Sequence, residues 1–196
     1  SLHDALPISM SCSFNPSLVE KAGQVTAKEV AADGLHWTFS PVLCVGRDLR
    51  WGSINETFGE DHYLIGQFAS SIIEGYQGGN LSDPGSILAY AKNYIAYGES
   101  TGAKDSYDSE VTVRKVREVF LPPFKKAVEA GCANFMTGYQ SIDGTPMTAN
   151  KRMLRGIFKD ELGFDGFVVT DWNNIGSLAD KQKMSSYILD ASKKAI

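Results

Sequence analysis

Four apolar runs in this sequence each lead into residues able to do chemistry. The run 166–170 leads to Asp171 and Trp172, 133–137 to Tyr139, 87–91 to Lys92 and Asn93, and 37–45 to Arg47 and Asp48. A carboxylate can attack or take a proton, a phenol beside it can donate a hydrogen bond, and a nearby ammonium favours the ionised carboxylate. An indole next to the acid offers a flat face for a sugar ring. Each residue alone has a plainer explanation. An aspartate after a strand often caps the next helix, a lysine often rests in solvent, and a buried tyrosine needs only a partner for its hydroxyl. Their joint placement at successive strand ends is more specific: cations, a phenol and a carboxylate on one rim suit a polyhydroxylated substrate.

The elements between these runs supply the spacing. Asn15-Pro16 reads as an N-cap followed by proline at the first helical position, and Leu18, Ala22, Val25 and Ala32 carry a helix that Gly34 closes. Further helices are expected over 61–76, ending at Gly78-Gly79, and over 109–130, interrupted at Pro122-Pro123 and stopped by Gly131. Two more are expected over 150–162 and 185–195. Strands are expected over 37–45, 87–91, 133–137 and 166–170. The order is α-β-α-β-α-β-α-β-α, and the strands are apolar throughout, as in a parallel sheet covered by helices. A doubly wound sheet and a barrel both fit. The chain lacks the Gly-rich turn of a nucleotide-binding sheet, which weakens the first. A barrel needs eight strands in about 250 residues. The expected fold class is therefore α/β: a partial (β/α)8 TIM-type barrel of about four to five β/α units.

Composition narrows the partners. The 196 residues carry a formal charge of −4 and are 43% hydrophobic, the profile of one globular domain. No Lys/Arg cluster points to nucleic acid, and no apolar run approaches the ~20 residues that span a bilayer, so neither nucleic acid nor membrane is an expected partner. Cys12, Cys44 and Cys132 lack metal-ligand spacing and read as small buried hydrophobes; no metal and no cofactor is expected. Ser-Leu-His-Asp-Ala-Leu-Pro-Ile at 1–8 looks like an in-frame translation of a sequencing adapter, so residues 1–9 are set apart from a domain over 10–196 that is expected to be truncated at both ends.

At these same positions the sequence resembles glycoside hydrolase family 3, the β-glucosidases, β-xylosidases and related exo-acting enzymes. Trp37-Thr38-Phe39-Ser40-Pro41 and Arg47-Asp48-Leu49-Arg50-Trp51-Gly52 resemble the family's W-T-F-A-P and R-D-P-R-W-G-R segments. Glu56-Thr57-Phe58-Gly59-Glu60-Asp61 is similar to E-x-F-G-E-D-P, and Leu121-Pro122-Pro123-Phe124 to L-P-P-F. The stretch 136–150 resembles M-T-A-Y-N-x-I-N-G-x-P…N, and 161–172 resembles E-x-G-F-x-G-F-V-V-S-D-W. Each motif is modest; their order and spacing over 14–180 carry the resemblance.

The resemblance implies the N-terminal barrel domain of an exo-acting retaining β-glycosidase, with Asp171 as nucleophile and a second carboxyl group about 5 Å away as acid/base. It implies Lys92, Asn93 and Tyr139 in the −1 subsite and Trp172 toward the +1 sugar, with Arg47 and Asp48 as further substrate-binding candidates. The substrate would be a β-linked glucoside or oligosaccharide. The acid/base usually comes from a following α/β sandwich domain, so the 196-residue chain alone is expected to be inactive. Family members are often secreted or periplasmic. Glu56, Glu60 and Glu99 are not assigned to the acid/base role; Glu56 and Glu60 read as partners of loop arginines.

Two positions depart from the family pattern. Ser53 stands where the family has arginine after Trp-Gly, and Asn93 where it has histidine after lysine. Losing a charged contact to a buried hydroxyl costs on the order of 1–3 kcal/mol. Asn93 can still donate and accept. The alternative reading is therefore a weakened or non-hydrolytic relative that binds sugar; an unrelated barrel lyase or isomerase is a more distant one. The loop Lys-Asn-Tyr-Ile-Ala-Tyr-Gly over 92–98 lacks the Asp-His dyad of the N-acetylglucosaminidase branch, which is disfavoured.

Overall fold

The computed structural model describes residues 6–195. Residues 1–5 of the adapter-like segment lie outside them, and its remainder enters a short helix, α1 (Leu6–Ser11). The longer helix α2 (Pro16–Ala32) starts as its sequence dictates: the Asn15 side chain accepts from the Ser17 amide at 3.1 Å, and Pro16 takes the first helical position. Gly34, at φ 77°, ends it. α3 (His62–Gln77) is capped by Asp61, which accepts from Leu64 N at 2.8 Å, and Gly78 stops it. Gly23 and Gly75 let α2 and α3 cross at backbone contact: a Cβ on Gly75 would collide with the Glu20 carbonyl.

Three strands, β1 (Tyr90–Tyr94), β3 (Asn134–Thr137) and β6 (Phe167–Thr170), form a parallel sheet in the order β1-β3-β6. Tyr90 lies opposite Asn134, and Asn134 opposite Phe167. The buried Gln77 side chain at the end of α3 ties the starts of two strands together. Its Oε1 accepts from Ala89 N (3.3 Å) and Ala133 N (3.1 Å), and its Nε2 donates to the Gly131 carbonyl at 2.8 Å. Because Ala89 N is taken this way, the β1 ladder begins at Tyr90 rather than at 87, and Lys92 and Asn93 lie inside the strand instead of after it.

The expected strand over 37–45 is extended and runs parallel to β1, but only through isolated bridges, Trp37 to Leu88 and Val42 to Lys92. Pro41 removes an amide donor from its centre, which breaks a continuous ladder. The helical stretch expected over 109–130 runs as α4 (Val113–Lys115), a π-helical segment Val116–Phe120 and α5 (Leu121–Glu129). Pro122 and Pro123 withhold two helix donors where the winding changes. The expected helix over 150–162 is π-helical over Arg152–Glu161.

Two features carry no periodic signal in the sequence. β2 (Asp108–Ser109), β4 (Ser141–Ile142) and β5 (Thr145–Pro146) form a second small sheet, with Asp143-Gly144 turning the β4–β5 hairpin at positive φ. The other is α6 (Asn174–Asp180), which starts three residues past Asp171; α7 (Ile188–Lys194), by contrast, falls within the helix expected over 185–195.

Between the sheet and its helices the core is aromatic: Phe135 packs on Phe158 and Phe164, at 4.7 and 4.8 Å between ring centroids, and Tyr94 on Phe158 at 4.5 Å. Trp37, Phe39, Tyr90 and Phe167 form a second aromatic cluster, in which only Tyr90 is buried. Cys44 and Cys132 are buried as expected; Cys12, in the exposed turn that follows α1, is not. Among the described residues no helix is long and apolar enough to cross a membrane.

Candidate active site

β6 delivers Asp171 one residue past its last paired position, Thr170. Both oxygens of the carboxylate are held. Oδ1 accepts from the Trp172 amide at 2.7 Å, and Oδ2 accepts from the Asn93 side-chain amide at 3.2 Å. Each oxygen keeps lone-pair capacity for a substrate. The turn after Asp171 is fixed by Asn174 N donating to the Asp171 carbonyl at 3.0 Å and by Asn173 at positive φ.

Asn93 is itself anchored. It is 5% exposed, its side chain also approaches Met136 Sδ (3.4 Å), and its backbone is gripped by Cys44. The Asn93 N–H donates to Cys44 Sγ at 3.3 Å and the thiol donates back to the Asn93 carbonyl at 3.5 Å. Burial pushes the Cys44 thiol up to about 12, so it stays protonated and keeps its donor role. Cys44 is a support that sequence reasoning assigned only to packing; no spacing signal distinguishes it.

Tyr139 donates its hydroxyl to the Trp172 carbonyl at 2.8 Å. Burial first, then the nearby Asp171 charge, push its phenol up to about 12, so it remains a donor at neutral pH. Three amide side chains brace this rim: Asn174 donates to the Gly138 carbonyl (2.9 Å), Gln182 to the Tyr139 carbonyl (3.0 Å) and Gln140 to the Ile95 carbonyl (2.6 Å). The Trp172 side chain takes no part in this bracing: it is 86% exposed, its backbone alone serving Asp171 and Tyr139. Asp171, Asn93, Tyr139 and Trp172 thus come together as one cluster.

The other expected residues do not join it by direct bonds. Lys92 directs its ammonium to Glu56 Oε2 at 3.7 Å, so the expected counter-charge for Asp171 is engaged elsewhere. Arg47 makes a two-pronged bond to Glu99 (2.7 and 2.6 Å), and Lys115 adds a third at 3.0 Å. Asp48 is paired with Arg50 at 2.7 Å, and that hydrogen bonding lowers its carboxyl to about 2. The expectation that Glu56 serves a loop arginine does not hold: Glu56 serves Lys92, and Glu99 takes Arg47. A fixed Arg–carboxylate fork is geometrically demanding, and Glu99 meets it from the turn Tyr97–Glu99.

The cluster presents an oriented carboxylate, a neutral phenol beside it and an open indole face. Such an arrangement can position an anionic nucleophile against a polyhydroxylated ligand.

The family model described as "Glycosyl hydrolase family 3 N terminal domain" matches residues 5–196. A β-xylosidase of Formosa agariphila is 38% identical over 175 residues, which cover 87% of this chain and 24% of that protein. A β-glucosidase involved in saponin metabolism from intestinal bacteria superposes with a TM-score of 0.93 at 42% identity, covering 96% of this chain and 25% of that one. The β-glucosidase of Listeria innocua in complex with glucose superposes at 0.91 and 31% identity, over 96% of this chain and 26% of its own. The chain therefore spans about a quarter of the length of the relatives it matches. It belongs to glycosyl hydrolase family 3 and carries that family's N-terminal domain.

Proposed function

We propose that this chain is part of an exo-acting retaining β-glycosidase that cleaves β-linked glucosides or oligosaccharides, with Asp171 as the nucleophile. The observation that carries the reading is the seat of Asp171 at the end of β6, both carboxylate oxygens held and an exposed indole alongside. The carboxylate attacks the anomeric carbon, the glycosidic bond to the leaving oxygen breaks, and a proton donor outside this cluster protonates that oxygen; water then hydrolyses the glycosyl-enzyme. Tyr139 and Asn93 orient the nucleophile and contact the −1 sugar; Lys92 reaches its hydroxyls from the Glu56 side. The acid/base carboxyl belongs to a further α/β sandwich domain, and the parallel sheet with its covering helices is part of a (β/α)8 barrel. The activities in the relatives' names, β-xylosidase and β-glucosidase, and the glucose complex support this class.

A second reading, a sugar-binding relative without turnover, draws on Ser53 and on the engagement of the Asn93 amide with Asp171 rather than with open solvent. One experiment separates them. A 2-deoxy-2-fluoro β-glucoside is incubated with the full-length protein, and the peptides are mapped by mass spectrometry. A glycosyl adduct on Asp171 is expected; sugar binding with no adduct replaces the first reading by the second.

A further inference from the structure

One carboxylate near the cluster has no part in the mechanism above. The Tyr97 hydroxyl donates to Oδ1 of Asp105. Tyr97 is a rigid seat for it: 5% exposed, its ring edge-on to Trp51 at 5.3 Å on one side and 6.5 Å from Tyr139 on the other. Asp105 itself is exposed. One of its oxygens is therefore tied to a buried aromatic, and the other faces solvent. Tyr139 is in turn bonded to the turn that carries Asp171. This chain of contacts seats a second carboxylate one aromatic ring away from Tyr139. The Tyr139 phenol registers both acids, Asp171 more than Asp105. On the same ring sits one opposing charge, the Lys181 ammonium at 5.6 Å from the centroid.

We propose that Asp105 is a specificity-determining residue for the leaving group: its free carboxylate oxygen, seated beside Tyr139 by the Tyr97 hydroxyl, favours aglycones that carry a positive charge or hydrogen-bond donors and disfavours anionic ones. The inference rests on the reading of Asp171 as nucleophile and of Trp172, whose carbonyl Tyr139 holds, as the ring toward the +1 sugar. A solvent-facing carboxylate interacts with a charge a few ångströms away through high dielectric, so its effect is a modest rate factor, and salt screens it. Lys181 acts in the opposite sense on the same ring and limits the discrimination.

The test uses the full-length enzyme and three aryl β-glucosides: phenyl, 4-(aminomethyl)phenyl and 4-carboxyphenyl. The substituents change leaving-group acidity as well as charge, so the quantity read is the ratio of kcat/KM for the cationic over the anionic substrate, compared between Asp105→Asn and the parent. The ratio is expected to fall about two- to fivefold in Asp105→Asn, to fall by less in Tyr97→Phe, which keeps the charge but releases its seat, and to shrink in the parent at high salt. Turnover of the neutral phenyl glucoside by Asp105→Asn stays near the parent's. An unchanged ratio in Asp105→Asn overturns the proposal, as does loss of turnover on all three substrates, which would make Asp105 a catalytic or structural group. A parent that gives the Asp171 adduct but no charge preference overturns the proposal and leaves the nucleophile standing; a parent that gives no adduct overturns both.

Discussion

The Asn93 amide reaches from β1 to the end of β6 and donates to Asp171 Oδ2 at 3.2 Å. One of the two positions that depart from the family pattern thus holds the proposed nucleophile. Replacing Asn93 with alanine removes a hydrogen bond to a charged group, worth about 1.5–3 kcal/mol. We expect kcat of the full-length enzyme to fall at least about tenfold, with KM nearly unchanged. Steady-state kinetics on an aryl β-glucoside check this; an unaltered kcat would remove Asn93 from the positioning of Asp171.

The exposed Trp172 ring gives the opposite pattern. Its backbone bonds survive truncation of the side chain, so Trp172→Ala keeps the Asp171 and Tyr139 contacts. Loss of a stacking face costs about 0.5–1.5 kcal/mol. Thermal stability should not move, and KM for a disaccharide should rise about two- to tenfold while the aryl glucoside is less affected. Equal effects on both substrates would argue against an aglycone contact.

Glu99 predicts how the fold responds to acid. Burial raises its pKa, but the bonds from Arg47 and Lys115 outweigh burial and hold it below its ordinary value of 4.5. A carboxyl depressed in the folded state contributes stability above its unfolded pKa and loses it as pH falls through the folded value. Denaturant melts of the parent should therefore weaken as pH drops below about 5. Glu99→Gln should cost about 1–2 kcal/mol at neutral pH, since the Arg47 fork is only partly buried. In that variant the acid limb should be shallower, and identical limbs would show that other groups set it.

Gly75 tests the helix crossing. A methyl there meets the Glu20 carbonyl and stands 3.0 Å from Gly23 Cα. Both obstacles are backbone, so α2 and α3 must separate. Gly75→Ala should lose about 1–3 kcal/mol in a urea melt, despite alanine's better helix propensity. A stabilised variant would mean that α2 has room to move.

Much of this was legible from residue order alone. The Asn15 cap, the glycine stops at Gly34 and Gly78, and three of the four strands follow from local chemistry, and Asp171 with Tyr139 and Trp172 come together where the strand ends place them. What the residue string concealed was pairing between side chains distant along the chain. The strand-end position of Lys92 carries no hint that Glu56 draws off its ammonium, and Arg47 finds Glu99 fifty-two residues on. Cys44 reads as a filler because its grip on the Asn93 backbone depends on two segments meeting. The second small sheet escapes periodicity because its strands are two residues long, although Asp143-Gly144 marks its hairpin.

Gln77 sits at the far end of the sheet from Asp171, yet it gives β1 and β3 a common origin. Paired strands advance by a nearly fixed rise per residue, so a shared zero at Ala89 and Ala133 carries as far as Ala91 opposite Phe135. The one register shift before Tyr94 then sets how Asn93 emerges relative to the β3 end. The rim that holds Asp171 is measured from the opposite end of the sheet. An exchange at Gln77 would act on the rim as a misplaced datum acts on every later measurement, displacing residues it never touches.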